Sequence, residues 1–159
     1  MKDIQTYNEP AFDNKTGYLI SGIYLMKIDD LLNHEILGGT AKRKNLIYSL
    51  KEACEIYWSY GIYEIYVNGS FATIKEYPND IDGYLRVDVK SESFIKLTSS
   101  GNIWGQLQSI GTYKLPMWHK YKIEFYVENK YEQFHNFFTH SKDGIERGII
   151  KLIKGGQND

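Results

Sequence analysis

The sequence predicts one α+β domain, in which a mixed β-sheet is flanked by helices. Its 159 residues fit a single domain, and 42% hydrophobic with 25% charged residues is an ordinary composition for a globular protein with a core. One long segment has apolar residues at helical spacing, and several shorter segments have the composition or alternation of strands. Without an internal repeat or a linker, residues 1–159 are expected to form one unit, with 1–17 as an N-terminal arm and 155–159 as a frayed tail.

The first predicted elements after the arm are a strand and a short helix. Tyr18–Met26 is rich in apolar residues and indicates an extended segment that Gly22 interrupts. Asp29 and Asp30 are suitable N-caps for a helix that continues through Leu37. The two glycines that follow directly would end this helix.

The clearest helix signal runs from Thr40 to Tyr60, and Gly61 would end it. Apolar side chains recur at i, i+4, i+7, i+8 and i+11 along this segment, at Leu46, Leu50, Ala53, Cys54 and Tyr57. The position of Cys54 on this stripe indicates a core residue rather than a nucleophile. The basic residues within 41–44 are interpreted as solvated surface, and contact with a nucleic-acid phosphate is the alternative.

Four segments after this helix are predicted strands. Ile62–Val67 is dense in β-branched and aromatic residues, which is typical of a buried strand. Asp80–Val89 and Lys122–Glu128 alternate between apolar and polar residues, so each presents one polar face. Gly148–Ile153 is the last predicted strand.

Less regular segments separate these strands. A helix is expected to start near Ser93, and an irregular aromatic segment surrounds Trp104. Lys130–Thr139 has aromatic side chains along one side and is predicted to form another short helix.

Composition narrows the classes of function. Nineteen basic and twenty acidic residues give a net charge of −1, which argues against a protein that coats nucleic acid or an acidic membrane. The single cysteine excludes an internal disulfide and a cysteine-based zinc site. No apolar run approaches the ~20 residues that span a bilayer, and the N-terminus lacks the apolar stretch of a secretory signal. A soluble cytoplasmic protein with no membrane partner is therefore expected.

The candidate site combines a Gly-Ser turn with a pair of aspartates. Gly69 and Ser70 follow a predicted strand, where a glycine lets backbone N–H groups approach an anion and the serine hydroxyl adds a donor. Asp80 and Asp82 flank one residue at the start of the next strand, so both carboxylates point to the same side. A divalent cation between such carboxylates relieves their repulsion, and Mg²⁺ is typically held by one or two carboxylates plus substrate phosphates.

Other catalytic patterns are missing from the sequence. It has no P-loop, no G-x-G-x-x-G fingerprint and no H-E-x-x-H spacing, and Ser70 is not in a G-x-S-x-G turn.

The alternative to a metal site at Asp80 and Asp82 is a solvated turn, since Pro78 and Asn79 immediately before Asp80 are favourable turn residues.

These residues resemble the nucleotidyltransferase superfamily, whose signature is a Gly-Ser turn followed by an Asp-x-Asp pair on the neighbouring strand. The run NGSFATIKEYPNDIDGYL, residues 68–85, is similar to a small bacterial and phage nucleotidyltransferase-like family with the core D-G-S-F-x-T-x-K-x-x-P-x-D-I-D. The similarity extends upstream through 46–60 and downstream to FFTHSKDGIERGIIKL at 137–152. It implies a minimal nucleotidyltransferase-like fold with the site at one sheet edge. Gly83 stands where that family has an apolar residue, so a looser strand is expected there.

The resemblance also implies a metal site. Asp80 and Asp82 would bind Mg²⁺ or Mn²⁺, and a third carboxylate on a later strand would complete the site. Glu124 is the best match for that carboxylate, at a position where relatives usually have Asp. Glu128 on the same strand face and Asp88 further along the first strand are the alternatives.

The implied reaction transfers a nucleoside monophosphate from an NTP to an unidentified acceptor, with RNA and protein as options. Gly69 and Ser70 would hold the triphosphate. Lys75 is a further candidate phosphate contact, with an ordinary loop lysine as its alternative. The competing function is a non-catalytic relative that binds a nucleotide or a protein partner in phage–host or toxin–antitoxin conflict. The short chain, with no separate acceptor-binding domain, favours this competitor.

Overall fold

A computed structural model describes residues 5–100, 116–129 and 146–155 of the chain. These residues form a six-stranded mixed sheet with four α-helices, which confirms the predicted α+β class. The strands are β1 (Thr6–Tyr7), β2 (Ile23–Met26), β3 (Glu64–Asn68), β4 (Ile81–Val87), β5 (Ile123–Asn129) and β6 (Ile149–Leu152). The helices are α1 (Ile28–Asn33), α2 (Ala41–Ser59), α3 (Glu92–Ser99) and α4 (Pro116–Tyr121), and a short 3₁₀ helix spans Gly69–Ala72.

The strands are arranged in the order β1–β2–β6–β3–β4–β5. The first three in this order are parallel to one another, β3 is antiparallel to both β6 and β4, and β5 is parallel to β4. The β4–β5 pair therefore forms one end of the sheet. Its register aligns Asp82 with Glu124.

The two faces of the β3–β4–β5 region differ in chemistry. Odd-numbered side chains such as Leu85 and Phe125 are buried in the main core together with α2, where Tyr57 lies 5.9 Å from the Phe125 ring. Even-numbered side chains occupy the opposite face and are polar or aromatic. Tyr84 and Tyr126 lie side by side on that face, with ring centroids 6.2 Å apart. This polar face carries two of the predicted site carboxylates.

The long helix matches its prediction closely. Thr40 is the N-cap, and its Oγ1 accepts from the backbone N–H of Arg43 at 3.1 Å. Gly61, directly after the C-cap, has φ +82°, which favours glycine at a helix end. Cys54 is fully buried, and burial raises the pKa of its thiol, so it is a core residue as predicted.

The first helix begins earlier and ends earlier than predicted. Its N-cap is Lys27, so the prediction of an aspartate N-cap was wrong. Asp30 lies in the first turn, and its carboxylate accepts from the Lys27 N–H at 2.8 Å. The helix ends at Asn33 rather than at Leu37, because His34 is extended and its Nδ1 accepts from the Leu37 N–H at 3.1 Å. Side-chain competition of this kind is not visible in apolar spacing.

The remaining differences are local. Within the extended segment predicted over Tyr18–Met26, the strand begins only after Gly22, whose φ is +145°. The predicted arm contributes the two residues of β1, which pair with β2. Ser91, two residues before the predicted Ser93, caps α3 by accepting from the Phe94 N–H at 3.2 Å.

Three predictions fall on residues outside the described ranges. These are the aromatic segment around Trp104, the helix over Lys130–Thr139 and most of the frayed tail. Among the residues that are described, no helix is long and apolar enough to cross a membrane.

Candidate metal centre

Three carboxylates converge where β4 and β5 begin. Asp80 immediately precedes β4, Asp82 is the second residue of that strand, and Glu124 is aligned with Asp82 on β5. One oxygen from each carboxylate lies within 4.8 Å of those from the other two. Strand alternation places both aspartates on one face, and the parallel register places Glu124 beside them. The structure thus brings together the three carboxylates that the sequence analysis selected.

The spacing of these oxygens is close to that required by one divalent cation. Oxygens bound to a single Mg²⁺ at about 2.1 Å lie at most about 4.2 Å apart, so small side-chain rotations suffice to reach it. Glu124 is only 7% exposed, and both aspartates are half-buried. Carboxylates this close and this shielded from water repel one another, and a cation among them would relieve that repulsion.

Two aromatic side chains position the carboxylates. The indole Nε1 of Trp118 donates to Oδ2 of Asp80 at 3.1 Å, and the hydroxyl of Tyr126 donates to Oε1 of Glu124 at 2.6 Å. The bond to Glu124 is the main reason that the pKa of Tyr126 lies well above its usual value near 10, and burial adds to it. Hydrogen-bond partners of this kind orient metal-binding carboxylates. Neither contact was predicted from the sequence: Trp118 lies on a short helix that was not predicted, and Tyr126 was placed on the polar face of its strand without a role.

The Gly-Ser turn packs directly against the centre. Gly69 has φ +71°, and a Cβ added there would lie 2.8 Å from Oδ2 of Asp82. Glycine is therefore required both for the backbone conformation and for the close approach to the carboxylate. Ser70 follows in the 3₁₀ helix, half-buried, and its carbonyl accepts from the Thr73 hydroxyl at 2.6 Å.

A buried arginine holds the segment that follows this turn. Arg43 is 1% exposed, and its guanidinium lies 4.8 Å from the Phe71 ring centroid. It donates to four backbone carbonyls at 2.5–3.3 Å, those of Leu37, Phe71, Thr73 and Lys75. Burial lowers the pKa of Arg43 to about 10, so the side chain is still charged at neutral pH. The link fixes the turn segment to α2.

The interpretation of the basic residues within 41–44 as solvated surface was wrong for Arg43. Three of its four carbonyl partners lie 28 to 32 residues further along the chain. No local pattern in the sequence could reveal them. Lys75 takes part through its carbonyl, while its side chain is exposed.

The two alternative third carboxylates lie apart from the trio. Glu128 is aligned with Arg86, four residues further along β5 than Glu124. Asp88 lies beyond the end of β4, where its Oδ1 accepts from the Lys90 N–H at 2.9 Å and shapes a turn. Among the described residues, the group that can share a cation contains Glu124 and neither alternative.

Gly83, directly after Asp82 on β4, allows the neighbouring strands to approach closely. It is buried, and an added Cβ would collide with the backbone oxygen of Tyr66 and lie 2.8 Å from the Phe125 ring. The strand continues without interruption through Gly83, which pairs with Val67 on β3 and Phe125 on β5, and the expectation of a looser strand stays a prediction.

Comparison with known proteins identifies a family and no characterised relative. The profile of a family of unknown function, DUF6932, matches residues 10–153, which include the Gly-Ser turn and all three carboxylates. No curated protein and no solved structure is significantly similar to the chain.

Proposed function

The chain belongs to the DUF6932 family of unknown function, and we propose that it is a nucleotidyltransferase that depends on Mg²⁺ or Mn²⁺. One observation carries the proposal: Asp80, Asp82 and Glu124 present oxygens within 4.8 Å of one another. The Gly69 turn lies against the same group. The resemblance of residues 68–85 to nucleotidyltransferases supports the assignment of this geometry to nucleotide chemistry.

Each residue has a proposed role in transfer. The bound cation would neutralise the phosphates of an NTP and stabilise charge that develops on them. Backbone N–H groups of the Gly69–Ser70 turn and the Ser70 hydroxyl would donate to the triphosphate. Lys75, exposed on the same loop, is the proposed cationic contact. An acceptor hydroxyl then attacks the α-phosphorus and pyrophosphate leaves, so the protein contributes mainly positioning and charge.

The role of Glu124 distinguishes a catalytic protein from one that only binds nucleotide. It either completes the cation site or accepts the proton of the attacking hydroxyl, and both roles act in the transition state. Its hydrogen bond from Tyr126 holds one oxygen in place. A side chain that only assisted nucleotide binding would act equally in the ground and transition states.

Glu124→Gln tests this role, with Glu128→Gln as the matched control on the same strand and the same face. Purified protein is incubated with labelled NTPs, Mg²⁺, and total cellular RNA and protein as acceptors. We expect Glu124→Gln to slow transfer by about a hundredfold or more. Its NTP affinity should fall only about tenfold, which is about 1.4 kcal/mol. Glu128→Gln should retain both properties.

Two results would contradict parts of the proposal. Nucleotide binding without transfer to any acceptor would favour the competing function, a non-catalytic relative that binds nucleotide. Transfer at an unchanged rate in Glu124→Gln would remove Glu124 from the site.

A further inference from the structure

A groove of about 480 Å³ lies beside the candidate metal centre, between the first half of α2 and α4. Its volume falls in the range of small-molecule binding sites. The lining consists of Lys42, Asn45, Leu46 and Ser49 on one face of α2, Asn79 in the loop before β4, and Trp118 and Lys122 at α4. The lining combines polar, cationic and aromatic side chains.

Two lysines give the described lining of the groove a positive charge. Lys42 Nζ donates to the amide oxygen of Asn79 at 3.0 Å, and Lys122 Nζ lies 3.8 Å from the centroid of the Trp118 ring. Neither an amide nor an indole neutralises a positive charge, and no carboxylate is among the described residues that line the groove. Lys42 also lies in the first turn of α2, where the helix dipole adds positive potential. An anionic ligand is therefore favoured.

Lys122, the residue after α4, has a left-handed backbone conformation. Its φ is +58°, and it is the only non-glycine residue with a positive φ in the described part of the chain. Its N–H donates to the Trp118 carbonyl at 2.9 Å and closes α4, at a position where glycine or asparagine is usual. This conformation fixes the direction in which the Lys122 side chain leaves the end of α4, over the Trp118 ring at the groove.

Trp118 connects the groove to the metal centre. Its ring borders the groove, and its Nε1 donates to Asp80 at 3.1 Å. A ligand in this groove would therefore lie beside the carboxylates.

We infer that this groove binds a nucleotide unit of the acceptor, with its phosphate on Lys42 and Lys122. The identification of this ligand as the acceptor rests on the proposed function. A free mononucleotide and the end of a single-stranded RNA share this chemistry, and the experiment separates them.

The test measures binding of two probes, AMP and a short labelled single-stranded RNA. EDTA is present, so that no divalent cation is available for nucleotidyl transfer. The double variant Lys42→Gln/Lys122→Gln is compared with Lys44→Gln, an exposed lysine of the same helix that donates to the Leu32 carbonyl instead. We expect at least tenfold weaker binding in the double variant and no change in the control. For RNA, the slope of log affinity against log salt should decrease in magnitude by about 0.7, the contribution of the one phosphate contact that both lysines make.

A second variant separates loss of charge from loss of folding. Lys122→Gly removes the ammonium group and relieves the positive φ, so we expect a higher melting temperature together with weaker binding. If Lys122 were only structural, its replacement would leave probe affinity unchanged.

The relative affinities of the two probes identify the source of the nucleotide, and two other results would overturn the inference. RNA bound at least tenfold more tightly than AMP identifies an RNA end, and equal affinities identify a free nucleotide. Unchanged affinity in the double variant, or no binding of either probe, overturns the inference. Because no divalent cation is present, a failure here is distinguishable from a failure of the transfer assay.

Discussion

Replacement of Gly69 by alanine tests whether the turn and the carboxylates form one site. Gly69 has φ +71°. The left-handed conformation costs a non-glycine residue about 1–2 kcal/mol. The reduced freedom of the unfolded chain offsets about 0.4–1 kcal/mol of that. We therefore expect the free energy of unfolding to fall by about 1 kcal/mol.

Gly61 provides a matched control for this backbone effect. Its φ is +82°, and a Cβ added there would lie 3.0 Å from the Ser93 hydroxyl, a small side chain that can rotate away. Gly61→Ala should lose a similar amount of stability. At Gly69 the added Cβ lies 2.8 Å from Oδ2 of Asp82, so that carboxylate has to move by several tenths of an ångström. Metal–ligand distances tolerate about 0.2 Å.

Urea unfolding and calorimetric titration with Mn²⁺ measure the two effects separately. We expect both variants to lose similar stability, and only Gly69→Ala to bind Mn²⁺ about tenfold more weakly, a difference of about 1.4 kcal/mol. Equal Mn²⁺ affinities in the two variants would refute the reasoning, because the turn would then not constrain Asp82.

Two further predictions concern the scaffold. Arg43→Met leaves four backbone carbonyls without their donor. Since each buried unsatisfied group costs about 1–3 kcal/mol and removal of the buried charge offsets part of this, urea unfolding should show a loss of about 3 kcal/mol. Lys44→Met, at the exposed neighbouring position, should change stability by less than about 0.5 kcal/mol, and similar values for the two variants would contradict the role of Arg43. The second prediction is that the protein loses stability above about pH 10, the ordinary tyrosine pKa. Thermal melting measures the stability, and absorbance of tyrosinate measures the ionisation. Five tyrosines have raised pKa values, chiefly through burial or, for the last, a hydrogen bond to Glu124: Tyr24, Tyr57, Tyr66, Tyr84 and Tyr126. Folding favours the neutral forms of these tyrosines, so the free energy of unfolding falls as pH rises from the ordinary tyrosine pKa toward the raised pKa values of the folded state. The lowered pKa of Arg43 has the opposite effect on stability, but it comes from a single group. Constant stability up to pH 12 would contradict this balance.

The sequence was sufficient to predict the elements that carry the carboxylates. Strict alternation in β4 and β5 determined which side chains share a face, and a short Asp-x-Asp spacing placed two carboxylates together. The alignment of Glu124 with Asp82 depends on the parallel pairing of two strands that are about forty residues apart in the chain. Only the resemblance selected Glu124 before this pairing was known.

The supporting contacts were beyond local reasoning. Arg43 looked like a surface residue of a first helical turn, because its partners are backbone carbonyls that have no sequence signature. Trp118 reaches Asp80 from a six-residue helix that is too short for a periodic pattern. The close approach of the Phe125 ring to Gly83 was not predictable either, because Phe125 lies on another strand.

Titration with Mn²⁺ tests the central claim most directly. The wild-type chain, the double variant Asp80→Asn/Asp82→Asn and the exposed control Asp29→Asn are titrated, and unbound Mn²⁺ is followed by electron paramagnetic resonance. We predict that the wild type and Asp29→Asn bind Mn²⁺ and that the double variant does not. Without metal, the double variant should melt at or above the wild-type temperature, since repulsion between the carboxylates is relieved. Mn²⁺ binding of wild-type affinity in the double variant would contradict the assignment of a metal site to these residues.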